Sequence, residues 1–205
     1  MKTRIIALIL VMVSAFTFCS CGKKSASEPK DVVASFCNRL IAFDFDGMQN
    51  YISDGGENLK TAFNNENKLM GTIDDFFAKN SKNTTYNISK AKIDEDTAII
   101  TVDYKYNDYN IMYREMIASM LLQSFSIDEK DLTDENLRSL LVKTYKNFEY
   151  ELPDTVITSA VIFTCVKGNK NNASAWVIKE WDGDIYNIMS QTFTSTVKSI
   201  GEPLV

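Results

Sequence analysis

The first periodic segment of the chain has the apolar spacing of a helix. It begins near Ser27-Glu28-Pro29, and apolar residues then recur three or four positions apart, so they share one helix face. These residues are Val32, Val33, Phe36, Cys37, Leu40 and Ile41. Breaks follow at Asp46-Gly47 and at Asp54-Gly55-Gly56. A short second helix is predicted between the two breaks, and a longer third helix over 59–77.

The spacing changes to that of strands after Thr84. Residues 86–93 and 97–106 are rich in β-branched and aromatic side chains, and the acidic turn 94–96 separates them. Residues 156–166 and 173–179 repeat this arrangement around a polar turn. The sequence therefore predicts two β-hairpins.

Helices are predicted between and after the hairpins. Residues 109–125 have helical spacing, a second helix begins at the cap Thr133 and runs to Phe148, and a C-terminal helix covers 185–200. The order of helices, hairpin, helices, hairpin and helix predicts an antiparallel sheet covered on one side by helices. We expect a single α+β domain over 29–205.

Three short segments of this pattern carry a family resemblance. They are residues 45–48 after the first helix, 98–102 in the first hairpin and 176–179 in the last strand. Together they resemble the small bacterial lipoproteins of the nuclear transport factor-like, cystatin-like superfamily, over roughly residues 28–200. The resemblance implies a curved sheet wrapped around the first helix, and the inserted helical pair is similar to one in uncharacterised lipoproteins of this kind. Function does not follow, because the superfamily includes enzymes, binding domains and interaction modules.

The first twenty residues have the composition of a secretory signal. Lys2 and Arg4 precede an apolar run over 5–18, and small or polar residues follow. A helix of about fourteen residues covers about 21 Å, which is less than the roughly 30 Å of a bilayer core. A cleaved signal is therefore favoured over a permanent span.

Residues 18–24 resemble the lipoprotein box, in which a cysteine after a small residue is diacylated and becomes the mature N-terminus. Ser20 and Cys21 match this arrangement, and Phe18 disfavours Cys19 as the acceptor. Two acyl chains are sufficient for stable membrane attachment. We expect lipid on Cys21, a polar tether over 22–28, and the extracytoplasmic face of the bacterial cell membrane. The alternative is an ordinary signal that releases a secreted protein.

Composition and charge exclude several functional classes. The 205 residues contain no histidine, which excludes Ser-His-Asp catalysis and histidine-ligated zinc. The formal net charge is −5, and removal of residues 1–20 leaves 20 basic and 27 acidic side chains, a net −7. An acidic chain of this kind is not expected to bind nucleic acid or anionic lipid.

The mature chain retains Cys37 and Cys165 beyond the lipidation site. An extracytoplasmic location would permit a disulfide between them. Free cysteine is also among the most frequently buried residues. The sequence leaves both alternatives open.

One acidic motif has the residues of a catalytic site. Residues 40–48, with Asp44 and Asp46, resemble the first motif of haloacid dehalogenase-like phosphatases. The resemblance implies a nucleophilic Asp44, an acid-base Asp46 and Mg²⁺. Met48 stands where a threonine is expected, and the preceding spacing is helical. We therefore interpret the motif as a helix end followed by a cap at Asp46, and the other acidic clusters as solvated turns without a metal.

Aromatic residues in the predicted strands are the candidates for a binding pocket. Enzymes of the resembling fold place an aspartate base and tyrosines between the first helix and the sheet, which implies Asp103 here. Strand alternation, however, puts Asp103 on the face opposite Tyr104 and Tyr106. Tyr104, Tyr106, Phe163 and Trp176 are predicted either to line a ligand cavity or to form core. The tyrosine-rich segment 104–113 is a candidate recognition surface.

These observations predict a membrane-anchored, non-catalytic domain. It would bind a small molecule or an envelope protein partner and would use no cofactor or metal. The alternatives are a cofactor-free pocket enzyme of the isomerase or dehydratase type, and a Mg²⁺-dependent phosphatase using Asp44 and Asp46.

Overall fold

The computed structural model describes residues 28–53, 58–66, 73–169 and 172–201. Cys21 and the signal segment lie outside these residues. In chain order the described elements are α1 (Pro29–Ile41), α2 (Phe45–Gln49), α3 (Leu59–Glu66), α4 (Asp74–Ser81), β1 (Thr85–Asp94), β2 (Thr97–Asp108), α5 (Asn110–Ser124), α6 (Asp134–Tyr145), β3 (Thr155–Asn169), β4 (Asn172–Asp182), α7 (Ile185–Met189) and α8 (Phe193–Gly201). A one-turn 3-10 helix, Glu129–Asp131, precedes α6.

Helix α1 forms where its apolar spacing predicts. Pro29 occupies the first turn, where its missing N–H has no intrahelical acceptor, and Asp31 complements the positive end of the helix dipole. The predicted apolar stripe is buried against the sheet, except that Ile41 at the helix end is only partly buried. Phe43, with φ of +57°, then turns the chain out of the helix.

The four strands form one open antiparallel sheet in the order β1-β2-β3-β4. Side chains on β2 alternate, with Ala98, Ile100, Val102, Tyr104 and Tyr106 on the buried face. This sheet and its helices confirm the predicted α+β class and both hairpins. The curved, cystatin-like form of the sheet stays a prediction.

Aromatic rings fill the space between the sheet and the helices. Phe36 of α1 meets Phe163 of β3 edge to face, with ring centroids 5.5 Å apart. On the inserted helices, Tyr109 and Tyr145 both lie against Phe76 of α4, at 5.4 and 5.3 Å. Edge-to-face pairs of this kind contribute about 0.5–1.5 kcal/mol beyond the area they bury. The inserted helices therefore share one core with the sheet.

Two predicted helices differ from the structure. The single long helix expected over 59–77 is instead represented by α3 and α4, and residues 67–72 between them lie outside the described part. The single C-terminal helix is divided into α7 and α8. The break is at Gln191 and Thr192, whose φ angles of +51° and +76° are left-handed. Such angles are costly for side chains larger than glycine, so surrounding contacts must hold them.

The side chains of this break replace a missing strand segment beside β2. Strand β1 begins at Thr85, opposite Lys105, and leaves the following part of β2 without a neighbour on that side. Gln191 Oε1 accepts a hydrogen bond from the Asn107 N–H at 3.0 Å, and Thr192 Oγ1 accepts one from the Tyr109 N–H at 3.1 Å. Gln191 Nε2 also donates to Thr84 Oγ1 at 3.0 Å. We name Gln191 and Thr192 the C-terminal corner.

Replacing Gln191 with leucine should destabilise the fold. The variant Gln191→Leu leaves the Asn107 N–H and the Thr84 hydroxyl without this partner, and each lost bond at a desolvated site costs about 1–3 kcal/mol. We expect a loss of about 2–4 kcal/mol in the free energy of unfolding, measured by urea denaturation followed by circular dichroism.

Gln49→Leu is the matched control, because half-buried Gln49 accepts only a long 3.3 Å bond from the Leu59 N–H. We expect its cost to stay below about 1 kcal/mol. Equal losses in the two variants would show that the corner has no special role.

Candidate functional site

Three of the four candidate pocket aromatics are packed in the core. Tyr104 is fully buried, and its hydroxyl lies 2.8 Å from the Cys37 Sγ of α1. Phe163 is also fully buried against α1. The Tyr106 hydroxyl lies 3.0 Å from Ser159 Oγ, and burial raises the pKa of Tyr106. The resemblance implies a pocket between α1 and the sheet. At these positions that space is filled by packed side chains, and the two tyrosine hydroxyls already have hydrogen-bonding partners.

Trp176 lies far from the two tyrosines. It pairs with Lys167 near the turn between β3 and β4, and the Lys167 Nζ lies 5.2 Å from the centre of the Trp176 ring. Tyr106 pairs instead with Ile157, ten residues earlier on β3. Ten residues of strand span about 33 Å. The structure therefore does not bring Trp176 and the tyrosines together around one cavity.

Cys37 and Cys165 are free, buried thiols. Cys37 contacts Tyr104, whereas Cys165 pairs with Ala98, six residues away along β2. Six residues of strand span about 20 Å, and a disulfide needs Cα atoms about 4.4–6.8 Å apart. Burial raises the pKa of each thiol from 9.0 to about 12. The described fold thus holds both as neutral core groups, which is the second of the two alternatives left open by the sequence.

The phosphatase-like motif forms a helix cap. Asp44 Oδ1 accepts a hydrogen bond from the Gly47 N–H at 2.8 Å, and Asp44 Oδ2 pairs with Arg39 Nη1 at 3.0 Å. The cap is therefore Asp44, and our assignment of the cap to Asp46 was wrong. Asp46 is exposed in the first turn of α2. The residues before Asp44 belong to α1 and not to a parallel strand.

Asp103 lies on the outer face of the sheet, as its alternation predicts. Its cross-strand neighbours are Asn87 and Ala160, and its side chain is partly exposed. Tyr104, the next residue, points to the opposite and buried face. Asp103 therefore cannot act as a base in the space between α1 and the sheet.

The second half of α5 exposes large apolar side chains. Leu122 is 69% exposed and Phe125 is 84% exposed, and Leu121 beside them is about half exposed. We name these three residues the α5 patch. The first half of the helix instead buries Met112, Tyr113 and Met116. The sequence predicts the helix but does not identify this patch, because apolar residues are spread around α5 and their periodicity does not mark an inner face.

An acidic segment follows the α5 patch in the chain. Residues 128–135 hold five carboxylates and one lysine, and every residue of this segment is exposed. Thr133 caps α6 by accepting a hydrogen bond from the Asn136 N–H at 3.2 Å. Within the described ranges, no group of three or more Cys, Asp or Glu side chains is arranged to hold a metal ion. The five exposed carboxylates of residues 128–135 give the surface beside the α5 patch a negative potential.

The described surface also has a shallow groove between α4 and α6. Its volume is about 250 Å³, and Phe76, Val142 and Tyr145 form its apolar wall. Lys79 and Glu149 supply opposite charges at its lining. This groove is a candidate small-molecule site, although none of the four predicted aromatic residues lines it.

Comparison with known proteins finds no relative for the chain. No protein-family model matches it, and neither the curated proteins nor the solved structures contain a significant match. Over the residues that the structure describes, no helix is both long and apolar enough to span a bilayer. The resemblance to the nuclear transport factor-like superfamily stays a prediction, and the function has to be inferred from the surface itself.

The buried thiols should make the fold sensitive to alkaline pH. Above pH 9 the unfolded chain releases thiol protons that the folded chain keeps until about pH 12, so the unfolded state is favoured. The contribution of the buried, protonated thiols to the free energy of unfolding is fully present below pH 9 and is lost as the pH rises toward 12. We expect the urea midpoint to fall between pH 7 and pH 10, and to fall less in the Cys37→Ala/Cys165→Ala variant.

Tyr104 and Tyr113 act in the same direction at still higher pH, because burial raises both pKa values. Alkylation at pH 8, mapped by peptide mass spectrometry, supplies the control. We expect Cys37 and Cys165 to stay unmodified until urea unfolds the chain. Rapid modification of either residue in the folded protein would contradict the assignment.

Proposed function

We propose that this protein is a lipid-anchored extracytoplasmic domain that binds an envelope protein and catalyses no reaction itself. The signal-like residues 1–20 and the lipoprotein box at Ser20-Cys21 support the anchor. The polar tether 22–28 is short, so the domain would stay close to the membrane surface.

The exposed α5 patch is the observation that carries the binding proposal. Burying a leucine or phenylalanine side chain contributes about 1.5–3 kcal/mol, and the α5 patch leaves three such side chains largely in water. Protein interfaces combine an apolar centre with a polar rim. The α5 patch and the acidic segment 128–135 supply both, and they fit a partner whose apolar surface is bordered by lysine or arginine.

The same charges disfavour a lipid bilayer as the occupant of the α5 patch. Anionic lipids attract basic segments within about a Debye length, whereas residues 128–135 carry five acids against one lysine. The mature chain as a whole, this segment included, carries a net charge of −7. A protein surface with basic residues is therefore the better match.

The interior weighs against the pocket alternatives. Cys37, Phe36 and the side chains that they contact fill the space between α1 and the sheet. Asp103 faces away from that space, so the pocket enzyme lacks its candidate base. The groove between α4 and α6 remains the site to examine for a small molecule.

Intact mass measurement tests the anchor. We expect the protein purified from its own membranes in mild detergent to have lost residues 1–20 and to carry diacylglycerol on Cys21. The Cys21→Ser variant should lack the lipid and leave the membrane fraction, whereas Cys19→Ser should keep both. Unlipidated wild-type protein would contradict the anchored form and favour a secreted one.

Site-specific photo-crosslinking in the cells that make the protein tests the partner. A benzophenone amino acid replaces Phe125 in the α5 patch or, as a matched control, Tyr150, which is 83% exposed. We expect a discrete protein adduct from position 125 alone. Leu122→Ser should reduce the adduct several-fold, and so should Asp128→Lys/Asp131→Lys, because one removes apolar contact and the other reverses part of the rim.

Identical adducts from positions 125 and 150 would show non-specific proximity and contradict the proposal. The same conclusion would follow from an adduct that is insensitive to both sets of substitutions. A glycerophospholipid adduct at 125 would identify the bilayer as the occupant and overturn the protein partner.

A further inference from the structure

In the described part of the chain, the outer face of the sheet is open over β1, β2 and most of β3, whereas Val177 of β4 is only 3% exposed. The helices cover the face that holds Tyr104 and Phe163, so the alternate residues of β2 and β3 face outward. Ile99 is 45% exposed and Ile162 is 40% exposed on this outer face. β-Branched side chains in this position form a flat surface that packs well against a second sheet.

Two cross-strand rows give this face opposite charges at its two edges. Each row begins with a lysine on β1, passes through one isoleucine and one threonine, and ends with a carboxylate on β4. The first row is Lys92, Ile99, Thr164 and Glu180, and the second is Lys90, Thr101, Ile162 and Asp182. All four charged residues are exposed, and none forms an ion pair within the described ranges.

We propose that this face binds a second copy of the chain, sheet against sheet, about a two-fold axis parallel to the strands. Such an axis reverses the order of the strands, so β1 of one copy lies over β4 of the other. The same axis leaves each residue's position along the strand direction unchanged, so each row lies opposite the same row of the second copy. Lys92 then lies opposite the second copy's Glu180, and Lys90 opposite the second copy's Asp182.

Charge selects this arrangement over the other face-to-face dimer. A two-fold axis in the interface but perpendicular to the strands keeps the strand order. When that axis passes midway between the two rows, the β1 lysines of both copies meet, and exposed Asp94 lies outside the rows. Like charges across an interface are strongly unfavourable, whereas opposite charges fix the orientation of the partners. The axis parallel to the strands replaces both repulsive edges with attractive ones.

The area of the face is sufficient for association. β1 and β4 lie at the same height only beside residues 97–101 of β2, whereas β2 and β3 pair over about twelve rows. At about 3.3 Å per residue and about 4.8 Å per strand, the segments that face each other give roughly 540 Å² for each copy, or roughly 1,100 Å² in total. This total is just below the standard range of stable interfaces and above the roughly 1,000 Å² that a biological interface needs. The charged edges are exposed, so the dimer should weaken as salt rises above about 0.15 M.

Charge reversal and its compensation test both the dimer and its axis. The assay is sedimentation equilibrium of the full chain in density-matched detergent. We expect wild-type dimers, and a dissociation constant raised at least about tenfold in Lys90→Glu/Lys92→Glu. Glu180→Lys/Asp182→Lys should weaken the dimer equally. Combining all four substitutions should restore it, because the two edges then exchange signs.

Lys143→Glu/Lys146→Glu, in the last turn of α6 and at its C-cap, makes the same change in net charge away from the sheet and should leave the dissociation constant unchanged. Thermal unfolding followed by circular dichroism checks that each variant is folded. A wild-type protein that stays monomeric to about 100 µM would overturn the proposal. So would a tighter dimer in Lys90→Glu/Lys92→Glu, which would indicate the perpendicular axis, or a failure of the fourfold variant to regain association.

Discussion

The hydrogen bonds of the C-terminal corner are the constraint on which the rest of the structure depends. Gln191 and Thr192 accept hydrogen bonds from the backbone N–H groups at positions 107 and 109, at the end of β2 that β1 does not cover. Helix α5 begins at the next residue, Asn110. Thr192 Oγ1 also donates to Asp108 Oδ1 at 2.9 Å. A glycine would adopt the left-handed conformation more easily, but it would supply neither side chain. The hydrogen bonds thus offset the cost of the left-handed backbone at Gln191 and Thr192. They also fix the direction in which α5 leaves the sheet.

The two faces of the sheet separate stability from binding. The inner face contributes aromatic packing and the Cys37–Tyr104 contact, and these groups have no remaining capacity for a ligand. The outer face and the end of α5 contribute little to the core, so their exposed apolar side chains are free to contact a partner. This division explains why the four aromatic residues predicted to bind a ligand are structural, while exposed leucine, isoleucine and phenylalanine side chains define the candidate interfaces.

Local patterns predicted those parts of the fold that local physics determines. The stripe of α1, both hairpins and the alternation around Asp103 follow from residue spacing alone. The break at Gln191 could not be predicted, because its strain is stabilised by Asn107 and Thr84, more than eighty positions earlier in the chain. The exposed α5 patch was missed for a related reason. Apolar residues are spread around α5, so only the packing of neighbouring elements decides which side of the helix is covered. Trp176 has a suitable side chain for a pocket. Distance along the strands nevertheless separates it from the tyrosines, because it pairs with the end of β3 that lies opposite to theirs.

In the proposed lipid-anchored form, the proposed surfaces would need less affinity than they need in solution. The short tether would confine the domain to a thin layer beside the bilayer, where tethering produces effective concentrations in the millimolar range. Contacts worth about 4–5 kcal/mol, weak in solution, are then largely occupied. A patch of three side chains with an acidic border supplies interactions of that size. Pairing through the outer sheet face would present two α5 patches together, so a dimer would bind a membrane partner more tightly than either copy without any new contact.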